Sequence, residues 1–235
     1  MTNSDKKVEE LFTAGSHLGH KSNKIHPKAK KYIYSMDRGT SIIDLSQTVK
    51  LLEEAKDFVT NLSKNNKTLL VVVTKRVASA FVSENCKKNN IPHVTVKWPA
   101  GLLTNFDMIS KNVKKLKTMR EEKETGEWNK FVKHEQIQLQ KKLNKLEKFY
   151  AGIDSLEKLP DAVFVVDLKK EKNSVKEALE KKLPIIGIVD TNVDPDLITY
   201  PIPGNDDAST SIEYFVKEIV DAYSQGKSQD SKGKN

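Results

Sequence analysis

The chain has 235 residues, enough for one large α/β domain or a domain carrying an insertion. Hydrophobic residues make up 37%, charged residues 31%, and the net charge is +8, so a core can form beneath a surface that favours polyanionic partners. A single cysteine, Cys86, excludes an internal disulfide and a multi-cysteine zinc site. No apolar run approaches the roughly 18 residues of a membrane span, and the polar first ten residues show no signal-peptide pattern, so a soluble cytoplasmic protein is expected.

Residues 5–15 read as a short helix with Val8, Leu11 and Phe12 on one face and Gly15 as its stop. An irregular basic stretch follows, from Gly15 to Lys31. Tyr32–Tyr34 and Ser41–Leu45 read as two strands joined through the turn Asp37-Arg38-Gly39. Ser46 is placed to cap a helix bearing Leu51, Ala55, Phe58 and Leu62. Then comes Leu69–Val73, the first of three short apolar runs; the others are Val163–Val166 and Ile185–Val189. Each ends in polar residues, the pattern of a parallel strand buried on both faces. A helix over about 76–89 and a strand over His93–Val96 follow the first run.

Residues 107–150 change character. They contain no strand-like run and carry twelve Lys and Arg against seven Asp and Glu. Ile109, Val113 and Leu116, then Leu139, Leu143, Leu146 and Tyr150, recur at helical spacing, which predicts two long antiparallel helices turning near Gly126. A helix with Val175, Ala178 and Leu179 separates the last two apolar runs. A final helix over about 208–223 carries Ile212, Phe215, Val216, Ile219, Val220 and Tyr223, capped by Asn205-Asp206-Asp207. Residues 225–235, rich in Ser, Gln, Lys and Gly, are expected to be a disordered tail. Strand and helix alternate, so the expected fold is a doubly wound α/β sheet with parallel crossovers. It is built from residues 1–106 and 151–224, with 107–150 as an inserted helical hairpin.

The motifs for chemistry are weak. The turn after Leu69–Val73 reads Thr74-Lys75-Arg76-Val77-Ala78-Ser79, without the glycines that let backbone approach a pyrophosphate, and no phosphate-cradling G-x-x-x-x-G-K-[ST] occurs. Asp190, Asn192, Asp194 and Asp196 alternate as in a calcium loop. Pro195 and Pro201, however, stand where that loop needs Gly and Glu. No cofactor is expected; a weakly held Mg²⁺ near Asp190, Asp194 and Asp196 stays open. His17, His20 and His26 lack the spacing of a zinc site and read as hydrogen-bonded loop histidines near phosphate. No nucleophile elbow exists.

Basic clusters are the positive signal. Lys21, Lys24, Lys28, Lys30, Lys31 and Arg38 face one acid, Asp37, in the first of them. Lys75, Arg76 and Lys97 stand at expected strand ends, where open α/β sheets dock ligands. Only Arg38, Arg76 and Arg120 among the 40 cations are arginine, and lysine suits phosphate contact better than base reading. Together with Lys114 and Lys117 of the hairpin, these groups suit folded RNA. Trp98 either stacks on a base or anchors its loop from the core.

Several stretches, in order along the chain, resemble the bacterial ribosomal protein S2 family. They are Gly15–His20, the segment from Pro27 through Tyr32-Ile33, Ile42–Leu45, Thr74-Lys75-Arg76, Trp98 with Gly101–Asn105, Leu159–Asp167, Ile188–Asn192 and Ile202–Asp207. The resemblance implies a Rossmann-like or flavodoxin-like sheet with an inserted antiparallel helical hairpin. It also implies a structural, non-enzymatic role in translation, seated on small-subunit ribosomal RNA near the head–body junction. Neighbouring small-subunit proteins are then partners, including ribosomal protein S1 where an organism has it, and no membrane is involved. His17, His20, Trp98 and Asn105 join the cations as expected RNA contacts. Lys97-Trp98-Pro99-Ala100-Gly101 departs from the family's Arg-Trp-Leu-Gly-Gly, so that loop is expected to take its own path. The alternative is a small-molecule or nucleotide-binding enzyme on the same sheet.

Overall fold

The computed structural model describes residues 3–232, with side chains described from Ser4 to Lys227. The first helix, α1 (Asn3–Thr13), leads into a small antiparallel sheet of β1 (Leu18–Lys21), β2 (Ile33–Asp37) and β3 (Thr40–Ile43), ordered β1-β3-β2. Helix α2 (Leu45–Lys64) is capped by Asp44, two residues before the expected Ser46: the Asp44 carboxylate accepts from the Ser46 amide at 3.0 Å.

The main sheet holds β4 (Leu69–Val72), β5 (His93–Val94), β6 (Ala162–Val165), β7 (Ile185–Val189) and β8 (Tyr200–Pro203), in the order β5-β4-β6-β7-β8 and all parallel. Leu69 pairs with Ala162 and Val72 with Val165, so the apolar runs lie side by side in register. Successive side chains point to opposite faces. Leu69, Val71, Val73, Phe164 and Ile186 enter one core, with α2, α3 (Arg76–Lys88) and α7 (Ser209–Lys232). Leu70, Val72, Val163, Val165 and Ile185 enter the other, with the start of α4 (Phe106–Glu124) and with α6 (Lys172–Glu180). Both faces are therefore covered, as the unbroken apolar runs require.

Helices α4 and α5 (Lys133–Tyr150) pack on each other through a separate seam of Leu116, Met119, Trp128 and Leu143. The Asn112 amide donates to the Tyr150 hydroxyl, and Arg120 bridges Glu147 and Asp154, both at 3.2 Å. No helix among the described residues is long and apolar enough to cross a membrane.

Three expectations need correction. The expected strand over His93–Val96 stops at Val94. Tyr200–Pro203 is a strand that its two prolines concealed; it lies at the sheet edge, where a missing amide leaves no partner unsatisfied. The tail expected to be disordered from 225 continues α7 to Lys232, with residues 233–235 outside those described. Gly226 sits so close to α2 that a Cβ there would lie 2.6 Å from the Thr60 carbonyl, a contact that composition alone does not announce.

Gly204 makes a tight approach in the main core. A Cβ there would lie 2.6 and 2.7 Å from two ring carbons of the fully buried Phe215. Overpacking of this kind costs about 1–3 kcal/mol. Gly204→Ala should therefore lower the melting temperature by roughly 3–10 °C in calorimetry; an unchanged temperature would mean the ring has room to yield.

Candidate nucleic-acid interface

The strand order brings β4 and β6 together at the point where the connections diverge to opposite faces, and the carboxyl ends of these strands form the usual ligand crevice of such sheets. Here the crevice is an open pocket of about 310 Å³ lined by the chain's own charged groups, among them His20, Lys75, Asp167, Asp206 and Asp207. Lys75, the residue that opens α3, lies with its ammonium 3.2 Å from Asp167, 2.9 Å from Asp206 and 2.7 Å from Asp207. It also donates to the Asp206 carbonyl. Its side chain is only 13% exposed. Burial alone would lower its pKa, but the hydrogen bonds to Asp206 and Asp207 outweigh it and hold the ammonium above its ordinary range.

The three carboxylates do not share that cation equally. Asp207, which is exposed, is held below its ordinary value, first by its hydrogen bond to Lys75. Asp206 is buried, and burial pushes its pKa up to about 6, with nearby Asp190 adding to the rise and Lys75 only partly opposing it. Lys75 does not offset the burial of Asp206, so this most buried carboxylate retains the penalty.

A second group adjoins this one. His20 Nδ1 lies 3.0 Å from buried Asp190 and its Nε2 lies 3.7 Å from Asp207. The hydrogen bond to Asp190 raises the pKa of His20 against its burial. The His20 amide donates to Thr191 Oγ1 at 2.9 Å, so β1 is stitched to the loop after β7. Donor atoms of His20, Asp190 and Asp207 come within 4.8 Å of one another, a spacing open to a divalent cation. The carboxylates expected to act together are divided: Asp190 faces His20, whereas Lys28 contacts Asp194 and Asp196 at 2.9 and 3.0 Å and Lys31 contacts Asp196 at 3.2 Å.

The remaining expected residues sort by environment. Lys21, Lys24, Arg38, Arg76, Lys97, Lys114 and Lys117 are exposed and make no ion pair among the described residues. Lys28 and Lys31 are also exposed but are engaged by the two aspartates. His17 stacks on Phe12 with ring centroids 4.2 Å apart, and burial lowers its pKa, so it packs as a neutral ring. Asn105 is exposed just before α4.

Trp98 is buried. Its indole N–H donates to Glu177 of α6 at 2.9 Å, and the same carboxylate accepts from the amides of Gly101 and Leu103 at 2.9 and 3.0 Å. Of the two readings of Trp98, the structure supports the loop anchor. The Pro99-Ala100 loop is gathered around one acid supplied from α6. Burial works against the ionised Glu177, and these donors prevail, so its pKa falls below its ordinary value. Sequence reasoning passed over Lys169, Lys172 and Lys176, which are exposed at the same end of the sheet. The Lys169-Lys170 pair, three residues past the end of the apolar run Val163–Val166, is the available signal.

A family model for Ribosomal protein S2 matches residues 11–226. The chain belongs to the ribosomal protein S2 family. A protein of Dictyoglomus thermophilum named small ribosomal subunit protein uS2 is 43% identical over 94% of this chain and 89% of its own length. Proteins of the same name from a Nitratiruptor species and from Coprothermobacter proteolyticus are each 40% identical over 94% of this chain and 82% of their own length. The S2 match takes in every residue named in this subsection. The S2 family is ribosomal and not enzymatic, which removes the alternative of a small-molecule enzyme.

The Asp206 carboxyl gives a measurable signature. Its folded pKa of about 6 stands above its ordinary value of 3.8. The folded state thus binds that proton more tightly than the unfolded chain does. The residue's contribution to stability is full below 3.8 and is lost as pH rises through about 6. Carboxyl-carbon NMR should find Asp206 titrating near pH 6 with Asp207 below its ordinary range. Lys75→Met should move the Asp206 midpoint higher still. Titration of both groups near 3.8 would mean that neither the burial of Asp206 nor the hydrogen bond from Lys75 to Asp207 acts in this way.

Proposed function

We propose that the chain is a structural protein of the small ribosomal subunit in the cytoplasm, binding small-subunit ribosomal RNA near the head–body junction. Its relatives carry the name small ribosomal subunit protein, and the motif order along the chain supports the same assignment. The observation that carries the RNA reading is the division among the cations. Lys75 is consumed inside the fold, while Lys21, Lys24, Arg38, Arg76, Lys97, Lys114 and Lys117 stand exposed and unpaired by acids among the described residues. An ammonium already neutralised by three carboxylates has little left for a phosphate; exposed, unpaired ones release counterions when they meet it.

In this reading His17, His20, Lys75 and Trp98 shape the loops that present the charges. Lys28 and Lys31 reach phosphate by exchanging Asp194 and Asp196 for it. Lys114 and Lys117 extend the contact along α4, and Asn105 adds a neutral donor at its base. Neighbouring small-subunit proteins, with S1 among them where present, complete the set of partners. Contacts of this kind position the protein without reading sequence.

Binding to small-subunit ribosomal RNA should weaken steeply with salt. Each phosphate-contacting lysine removed should shallow the plot of log affinity against log salt by about 0.7–0.9. Replacing Lys21, Lys24 and Lys97 together with alanine should therefore reduce the slope by roughly 2–3, with thermal stability retained. A slope that stays the same in this variant, or wild-type affinity that ignores salt, would contradict the proposal.

A further inference from the structure

Beside the Lys75 crevice lies an open pocket of about 520 Å³, between the loops that follow β6 and β7 and under α6. Its floor is apolar: Leu168, Val175, Val193 and Ile198 are buried there. Its lips are two leucines that the fold leaves in water, Leu179 at 44% and Leu197 at 48% exposure. Three lysines stand at its rim, Lys169, Lys172 and Lys176, and none of them makes an ion pair among the described residues. Lys172 and Lys176 are one helical turn apart and share a face of α6. Asn192 also lines the pocket, and its side-chain carbonyl oxygen is buried without a hydrogen-bond partner.

We infer that this pocket seats one unstacked nucleotide of the bound RNA strand. The inference rests on the RNA-binding reading above and names a contact within it. The volume falls in the range of small-ligand sites, which are mostly apolar with a few placed polar groups. Single-stranded loops of RNA offer bases that leave the stack and lie on apolar or planar side chains. The base slides between Leu179 and Leu197, covering the apolar surface they expose. The flanking phosphates lie on Lys169, Lys172 and Lys176. A purely anionic ligand would use the lysines and leave the leucines wet; an uncharged apolar one would leave the lysines unused.

The test uses the full chain with methyl-labelled leucine and a single-stranded adenylate pentamer as probe, followed by NMR. The pentamer should shift the Leu179 and Leu197 methyls. A pentamer with an abasic central position, and inorganic phosphate, should leave them in place. Leu197→Ser and Lys172→Glu, both at exposed positions, should each weaken the pentamer about tenfold. Methyls that stay still with the pentamer, or that respond equally to phosphate or the abasic strand, would overturn the inference. Free adenosine monophosphate binding as tightly as the pentamer would assign the pocket to a free nucleotide and overturn the RNA assignment. Intact binding to ribosomal RNA with silent methyls would remove this inference alone; failure to bind ribosomal RNA at any salt would remove the broader reading.

Discussion

A single ammonium group holds the carboxyl end of the sheet together. Lys75 reaches from the start of α3 to the end of β6 and to the segment between β8 and α7, so three parts of the chain far apart in sequence converge on one atom. In a doubly wound sheet this crevice is the place where a ligand's phosphates would lie. Here carboxylates lie there, and a side chain neutralises them from within. The sheet keeps the architecture of a nucleotide-binding fold while its crevice is lined by carboxylates and the ammonium that pairs with them. This is the physical content behind a structural role on this scaffold.

The same region ties the N-terminal segment to the sheet. The Asn205 amide donates to the Ser16 carbonyl at 3.1 Å, the His26 amide to the Thr191 carbonyl at 2.8 Å, and the Ser16 and Ser211 hydroxyls lie 2.8 Å apart in the interior. The small sheet β1-β3-β2 is thus positioned by the loops after β7 and β8. Lys21, Lys24 and Arg38, which it carries, are held at a fixed place relative to Arg76 and Lys97. Glu177 does the corresponding work on the other side, gathering the loop that bears Lys97. Buried polar contacts set the spacing of exposed cations, and a rigid array of cations matches a folded RNA better than loose ones do.

Much of this architecture is legible in the sequence, for identifiable reasons. The strands at 69, 163 and 185 declare themselves because a strand covered on both faces must be apolar throughout. The packing of α4 on α5 follows from leucines at helical spacing. What stays hidden is held by partners rather than by composition. Strand β1 reads as Leu-Gly-His-Lys and forms only because β3 and Thr191 supply its hydrogen bonds. Strand β8 carries two prolines and is tolerated at an edge. The end of α7 lacks an apolar pattern, yet Gly226 lies directly against α2. The candidate interface shows the same division. Sequence identifies the lysines, but whether each is spent or available depends on acids more than 100 residues away, such as Asp206 for Lys75 and Asp194 for Lys28.

The sorting of cations into spent and available is therefore the central claim, and amine-specific labelling followed by mass spectrometry reads it directly. In the free protein Lys21, Lys24, Lys97, Lys114 and Lys117 should label rapidly while Lys75 stays unmodified. In complex with small-subunit ribosomal RNA the first group should become protected and Lys75 should not change. Labelling of Lys75 at the rate of the others, or no protection of the exposed group by RNA, would contradict the account.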